Sequence, residues 1–459
     1  MDRLTNRTRT AIVGAAALSL TLSACAGGST SNSTTDAGGS TKDASGTVNY
    51  WLWDSNQQPA YQACADAFHT ANPKITVKIS QFGWDDYWTK MTTGFVSGTA
   101  PDVFTDHLSK YPEFVAQKQL VPLDGYLAAD GVKTDIYEKG LADLWVAQDS
   151  KRYALPKDWD TISLFYNKAM TKAAGITDDQ MAALTWNPTD GGTYEKAIAH
   201  LTVDNNGKRG DEAGFDKNNV KTYGLGFAGS GAGNGQTEWS YLAGSTGWTH
   251  TDKNPWGSKY NFNDPKLQAT ISWWRSMITK GYMTKLAATV GASMGDGFGA
   301  SKSAINSEGS WNIGTYKGYK GVDVGIAPTP VGPTGKRASM FNGLGDSVWV
   351  GSKVKPAAVK WVEYAASAAC EDIVGGKGIV FPAIDSGVQK ATAAFKSKGV
   401  DVTAFTTQVK DGTTFLFPIT DHAAEITAIM QPAMDAVMAF KAEPSSLTAA
   451  NDQVNALFK

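Results

Sequence analysis

From Val48 onward the chain alternates two kinds of hydrophobic spacing. Val48–Trp53 is a short apolar run that stops at polar Asp54-Ser55-Asn56, the pattern of a strand entering a loop. Pro59–His69 sets Tyr61, Cys64 and Phe68 on one face at helical spacing. Ile75–Ile79 alternates apolar and polar positions and predicts a second strand. Tyr87–Phe95 predicts a short helix, and Pro101–Phe104 a third strand that ends at Thr105-Asp106-His107. Strand, helix, strand, helix, strand is the order of a parallel α/β sheet. Ligands of such sheets bind beyond the carboxyl ends of the strands. Trp53, Asp54 and Asp106 stand at two of those ends and are candidate binding residues, against a core role for Trp53 and helix capping for the two acids. Trp84 with Asp85 and Asp86 opens a helix, where acids suit the N-terminus.

The stretch 156–340 predicts a second α/β unit, with strands at Ser163–Tyr166 and Tyr223–Phe227 and a helix at Leu267–Lys280. Gly-rich segments at 224–235 and 291–299 are loops. Neither carries the Lys-Ser/Thr ending of a phosphate loop. Ser347–Val350 predicts a further strand and Pro356–Cys370 a further helix.

The N-terminus changes the picture. Arg3, Arg7 and Arg9 precede an apolar run over residues 11–22, and Leu22-Ser23-Ala24-Cys25 follows. Basic region, short apolar region and small residues form the pattern of a secretory signal. The run is shorter than the roughly 20 residues that a spanning helix needs; a short membrane anchor is the alternative. Leu-Ser-Ala-Cys resembles the lipobox of bacterial lipoproteins, which implies cleavage after Ala24 and lipidation at Cys25. Residues 25–46 are small and polar and predict a flexible tether. Cys64 and Cys370 are then left in an oxidising compartment, either paired or as two buried thiols. Net charge is −2 over 459 residues, which gives no reason to expect nucleic acid as a partner. Three Cys and five His exclude a disulfide-framework scaffold and argue against a multi-cysteine zinc site.

Several blocks then carry a resemblance. Ser97-Gly98-Thr99-Ala100-Pro101-Asp102-Val103 is followed by Gln119-Leu120-Val121-Pro122-Leu123, by Tyr153-Ala154-Leu155-Pro156 with Leu164-Phe165-Tyr166-Asn167-Lys168, and by Gly309-Ser310-Trp311. In order and spacing they resemble the bacterial extracellular solute-binding proteins of the maltose-binding type, which serve sugar ABC transporters. The resemblance implies an α/β fold of two discontinuous lobes joined by a hinge of crossing strands. The crossings are expected near Leu155–Asp160, Phe341–Gly345 and Phe381–Asp385. Lobe one would hold 47–155 and 343–383, and lobe two 156–342 and 384–459. It also implies a monomer that binds sugar in the cleft, hands it to the permease subunits of an importer, and needs no cofactor and catalyses no reaction.

A sugar offers apolar C–H faces and polar edges, so its site needs flat aromatics beside carboxylates and amides. Trp159 and Asp160 follow the first crossing and Asn342 adjoins the second. Trp311, after Gly309-Ser310, is the leading stacking residue. Trp239 and Trp256 lie in aromatic, Gly-rich loops and suit cleft or core equally. The abundance of Trp favours an oligosaccharide. Asp204, Asn206 and Asp211 partly resemble a calcium loop but lack the terminal Glu, Phe215 standing in its place; the alternative is an Asx/Gly turn without metal. Rival functions are a lipid-anchored glycoside-active enzyme, which needs two carboxylates across a sugar, and a tethered adhesion protein.

Overall fold

The computed structural model describes residues 39–291 and 293–459. Twelve strands form two sheets. In chain order they are β1 Gly46–Leu52, β2 Ile75–Gln81, β3 Val103–His107, β4 Ala154–Asp160, β5 Ile162–Asn167, β6 Val203–Asp204, β7 Val220–Leu225, β8 Ser303–Gly309, β9 Val324–Ala327, β10 Ser339–Val348, β11 Phe381–Pro382 and β12 Thr414–Leu416. The first sheet runs β11-β4-β10-β3-β1-β2, with β12 beside the start of β10; the second runs β6-β7-β8-β5-β9. β1 pairs parallel with β2 and β3, as strand–helix–strand order requires. β10 then enters antiparallel between β3 and β4.

The sequence pattern accounts for these elements. In β1, Val48, Tyr50 and Leu52 are buried while Thr47 and Asn49 face outward. The helix Gln58–Ala71 sets Tyr61, Cys64, Ala65 and Phe68 against that sheet. β4 is different. Its sequence, ALPKDWD, carries three charged side chains, yet every residue is buried. Lys157 is satisfied inside: its Nζ donates to Tyr50 Oη (2.8 Å) and Thr105 Oγ1 (2.9 Å), and stands 3.8 Å from Asp346.

The chain passes between the sheets at Asp160–Ile162, where β4 ends in one and β5 begins in the other. β10 returns. Its Ser339 Oγ accepts from Ile162 N (2.7 Å) at one end, while its Asp346 pairs with Thr105 of β3 and Leu155 of β4 at the other. β11 lies on Asp158 and Trp159 of β4. The helix Asp385–Ser397 then stays with the first sheet, although lobe one was expected to end at 383. Gly387 lies so close to Gly375 of the helix Ala368–Lys377 that a Cβ on Gly375 would strike its carbonyl, and Phe395 packs 5.8 Å from Phe381. The small residues on that face make the close approach. Only with the helix Thr403–Lys410 does the chain reach β5, through Phe405 at 5.9 Å from Phe165.

Cys64 and Cys370 form a disulfide, Cα–Cα 5.2 Å, between the helices Gln58–Ala71 and Ala368–Lys377. Both belong to the layer on the first sheet, so the bond closes around everything between them. Cys25, the signal segment and most of the tether lie outside the described residues. Among those described, no helix is long and apolar enough to cross a membrane.

Candidate functional site

Two adjoining cavities, of about 490 and 600 Å³, lie between the sheets and share Trp84, His107, Gln236 and Trp311 as a common wall. Both volumes suit a small-molecule ligand. One side of the first cavity comes from the first sheet: Trp53–Gln57 beyond β1, His107 at the end of β3, Asp158–Asp160 of β4, and Asn342 and Leu344 of β10. The other side comes from Ser310–Asn312 and Thr315 after β8, and from Gln236. Strand ends of two sheets therefore supply one site.

The aromatic part is compact. Trp53 meets Trp84 at 5.1 Å edge to face and Trp88 at 5.4 Å, and Trp84 stands 5.6 Å from His107. Trp84 opens the helix Trp84–Ser97 and is 44% exposed, a large apolar ring left uncovered beside the cavity. Trp311 faces this group from the second sheet's side. Gly309 is needed for its placement, because a Cβ there would overlap the Trp311 ring. The glycine thus makes room for the indole rather than for a ligand. Trp159 is stacked between Phe381 (4.6 Å) and Phe341 (5.8 Å), and its Nε1 has no protein partner.

The polar part is built on carboxylates. Asp160 accepts from Asn342 Nδ2 (3.2 Å) and, across the cleft, from Gln236 Nε2 (3.4 Å). Burial, then the charge of Asp158, holds its carboxyl well above the usual range. Asp158 is raised to about 7, mainly by burial, with Lys157 opposing and Asp54 adding. Asp54 accepts from Asn56 N (2.8 Å) and is raised by burial. Asn342 Nδ2 also lies 3.1 Å from His107 Nε2. His107 is lowered to about 3 by burial and is neutral. Besides Trp159 Nε1, two acceptor atoms of residues lining this cavity are buried without a hydrogen-bond partner, Asp158 Oδ2 and Asn342 Oδ1. Orphaned buried acceptors are costly, and a ligand's donors would satisfy them. Asn56 Nδ2 donates to Thr315 Oγ1 (3.2 Å), a second bond spanning the cleft.

Of the expected residues, Trp53, Asp54, Trp159, Asp160, Trp311 and Asn342 are brought together here. The others are elsewhere. Asp106 is fully buried behind the strand; it accepts from Ser347 Oγ (2.9 Å) and from His107 N (2.8 Å). Strand alternation turns His107, not Asp106, to the cavity. Trp239 is core. Its Nε1 donates to Ser230 O (3.1 Å), and the Gly-rich loop wraps its ring, with Gly231 and Gly235 too close to it to carry a Cβ. That loop lines the second cavity, so Trp239 supports the site from behind. Trp256 lies outside both cavities, 6.0 Å from Tyr111. Sequence reasoning missed Gln57, His107, Asp158 and Gln236, and read Trp84 only as part of a helix start.

The expected calcium loop is a turn. Asp204 Oδ1 accepts from Asn206 N and Lys208 N and its Oδ2 from Asp216 N, each at 2.8 Å, while Asp211 pairs with His200 Nδ1 at 2.8 Å. Backbone N–H groups occupy the oxygens a cation would use. No group of three metal-ligating side chains occurs among the described residues.

The family model for bacterial extracellular solute-binding proteins matches residues 54–369, and the chain belongs to that family. The maltodextrin-binding protein MdxE of Bacillus subtilis is 27% identical over 305 residues, 64% of this chain and 63% of that one. A putative binding protein of Brucella abortus is 32% identical over 118 residues, spanning 26% of this chain and 28% of the relative. Among solved structures, an ABC substrate-binding protein of Listeria monocytogenes in complex with cycloalternan matches with TM-score 0.76 and 19% identity, over 90% of this chain and 98% of that one. The GacH receptor of Streptomyces glaucescens, solved unliganded and with acarbose, matches with TM-score 0.73 and 21% identity over 90% and 98%. The fold is thus that of the two-lobed sugar-binding proteins of ABC transporters.

Proposed function

From membership of that family, we propose that this chain is the extracellular, lipid-tethered binding component of a carbohydrate importer, that it captures an oligosaccharide between its two sheets, and that it delivers it to permease subunits without chemical change. The observation that carries the reading is the first cavity itself. It sets Trp53, Trp84 and Trp311 beside buried carboxyl and amide acceptors, two of whose atoms have no protein partner. Indole faces suit the C–H faces of pyranose rings, and charged acceptors suit their hydroxyls. The adjoining second cavity gives length for more than one sugar unit. Several solved neighbours hold oligosaccharides or a mimic of them (cycloalternan, acarbose, mannotriose, mannobiose), which supports the same substrate class, while others hold tagatose or glycerophosphocholine.

Calorimetric titration with a panel of oligosaccharides, with chromatography of the mixtures afterwards, tests this. Saturable binding of one sugar per chain with no product is expected. Turnover would favour the glycoside-active alternative, and no binding across the panel would remove the reading. The tether rests on Leu22–Cys25. Cys25→Ser is expected to release the protein to the medium or leave it unprocessed, scored by fractionation and intact mass. Normal processing with unchanged membrane retention would contradict it.

A further inference from the structure

Trp256 lines neither cavity, yet it joins the two sides of the molecule. It rides with the second sheet. Ser307 of β8 donates to Thr237 O, Trp239 packs 5.8 Å from Trp248, and the loop from Trp248 to Tyr260 carries Trp256. Its ring meets Tyr111 edge to face at 6.0 Å. Tyr111 belongs to the first sheet's side: it opens the helix Tyr111–Ala116 after β3, is fully buried and lies 5.0 Å from Trp145.

Two more contacts span the same rim. Phe417 meets His107 edge to face at 5.1 Å, and Gln148 Nε2 donates to Asp421 Oδ2 at 2.7 Å. Residues 417–421 are stapled to the Trp256 loop. Trp256 N donates to Ile419 O (2.7 Å), Asn254 Nδ2 to the Leu416 and Phe417 carbonyls (3.0 Å each), and Thr420 Oγ1 to Gly257 O (2.9 Å). Tyr111, Gln148 and Asp421, like Trp256, line neither cavity.

The backbone points independently to Trp256. Its φ is 64°, a left-handed conformation that bulky residues rarely adopt and glycine adopts freely. Such a conformation persists where the surroundings over-determine it, as the stapled loops do here, and it is found at clamps and switches. A contact made only when the two sides are together stabilises the closed arrangement whatever sugar is present. Apparent affinity rises with the fraction of molecules already in the binding-competent arrangement.

We propose that Trp256 is a positioning residue for ligand capture: with Phe417 and Asp421 it forms a latch that closes the cleft from outside the first cavity and scales affinity for every sugar alike. The proposal rests on the sugar-binding reading above and adds to it a residue that touches no ligand.

Trp256→Gly removes the ring and gives the turn the residue that its φ favours. Small-angle scattering of the ligand-free protein is expected to show a larger radius of gyration in this variant than in wild type. Trp256→Phe, which restores an edge-to-face partner, is expected to return the radius toward wild type. Across the sugars that bind, Trp256→Gly is expected to lose affinity by one common factor, about threefold to tenfold, mostly in the dissociation rate. Gln148 is exposed, so its replacement leaves the core untouched. Gln148→Lys sets an opposite charge against Asp421 and Gln148→Glu a like one; at low salt the first is expected to bind about threefold or more tighter than the second.

A ligand-free radius equal to that of wild type in folded Trp256→Gly overturns the latch. A loss that differs between sugars by more than about threefold also overturns it, by putting Trp256 on the ligand. Where Trp256→Gly does not fold, the Gln148 pair decides, and equal affinities of its two variants overturn the latch. If wild type binds no carbohydrate, the sugar-binding reading falls, and the ligand-free radii of the variants decide the latch by themselves.

Discussion

Trp311 shows how far a single residue could be read ahead of the structure. Its position after Gly309-Ser310 marked it as a stacking residue, and it does line both cavities. Gly309 leaves the space that the indole ring occupies. Because an aromatic face can meet any pyranose, Trp311→Ala should cost affinity across all sugars that bind, on the order of 2 kcal/mol or more, roughly thirtyfold. Calorimetry on the folded variant checks this, and binding within twofold of wild type would return Trp311 to the turn. The same scale shows where sequence failed. Asp106 and His107 are adjacent, and only the pleat decides which one faces the cavity. Sequence spacing gave the strand end but not its phase. Asp158 was missed because it sits inside a strand directly after Lys157, an internal structural cation. Trp239 was indistinguishable from a ligand-facing Trp until the glycine loop was seen to wrap it.

At the scale of elements, the early strands and helices were legible because each carries a clean period. Val48–Trp53 was expected and Gly46–Leu52 is observed; Ile75–Ile79 was expected and Ile75–Gln81 is observed. By its hydrophobic pattern β10 was legible only at its end, Ser347–Val350, and its first half was expected, near Phe341–Gly345, only through the resemblance. Its first half, with polar Asn342 and glycines 343 and 345, lacks strand character, because it passes along the cleft between sheets. The pairing of Cys64 with Cys370 was open in the sequence, as spacing says nothing of distance. The bond ties two helices across a separation of 306 residues, a loop long enough for the restraint on the unfolded chain to be large. Replacing both cysteines by alanine should lower stability by about 2–5 kcal/mol, read from the denaturant midpoint. An unchanged midpoint would show that the bond does not constrain the unfolded chain as argued.

At the scale of the whole molecule, buried acids set a pH dependence. Asp106, Asp158, Glu238 and Glu308 are each raised to about 7, chiefly by burial. Between their ordinary values near 4 and that point, the folded state binds more protons than the unfolded one, so their contribution is present at low pH and is lost as pH rises toward 7. His107 and His250, lowered to about 3 and about 4 by burial, act in the opposite sense below about 6.5. Glu363 is raised to about 7 as well, and Asp160 and Glu371 further still, all chiefly by burial; above about 6.5 only the acids matter, and below it they outnumber the two histidines. The ligand-free protein should therefore melt a few degrees, about 2–4 °C or more, higher near pH 5.5 than near pH 7.5, by calorimetric scan. Stability that rises steadily across that interval would contradict the burial of these carboxyls.

The account's central claim is that sugar is held by both sheets at once, across the cleft. Hydrogen–deuterium exchange with and without a saturating oligosaccharide from the binding panel tests it most directly. Simultaneous protection of the segments 53–57, 154–160 and 308–315 is the predicted result, since the first two belong to one sheet and the last to the other. Protection confined to one sheet, or found away from all three segments, would contradict it.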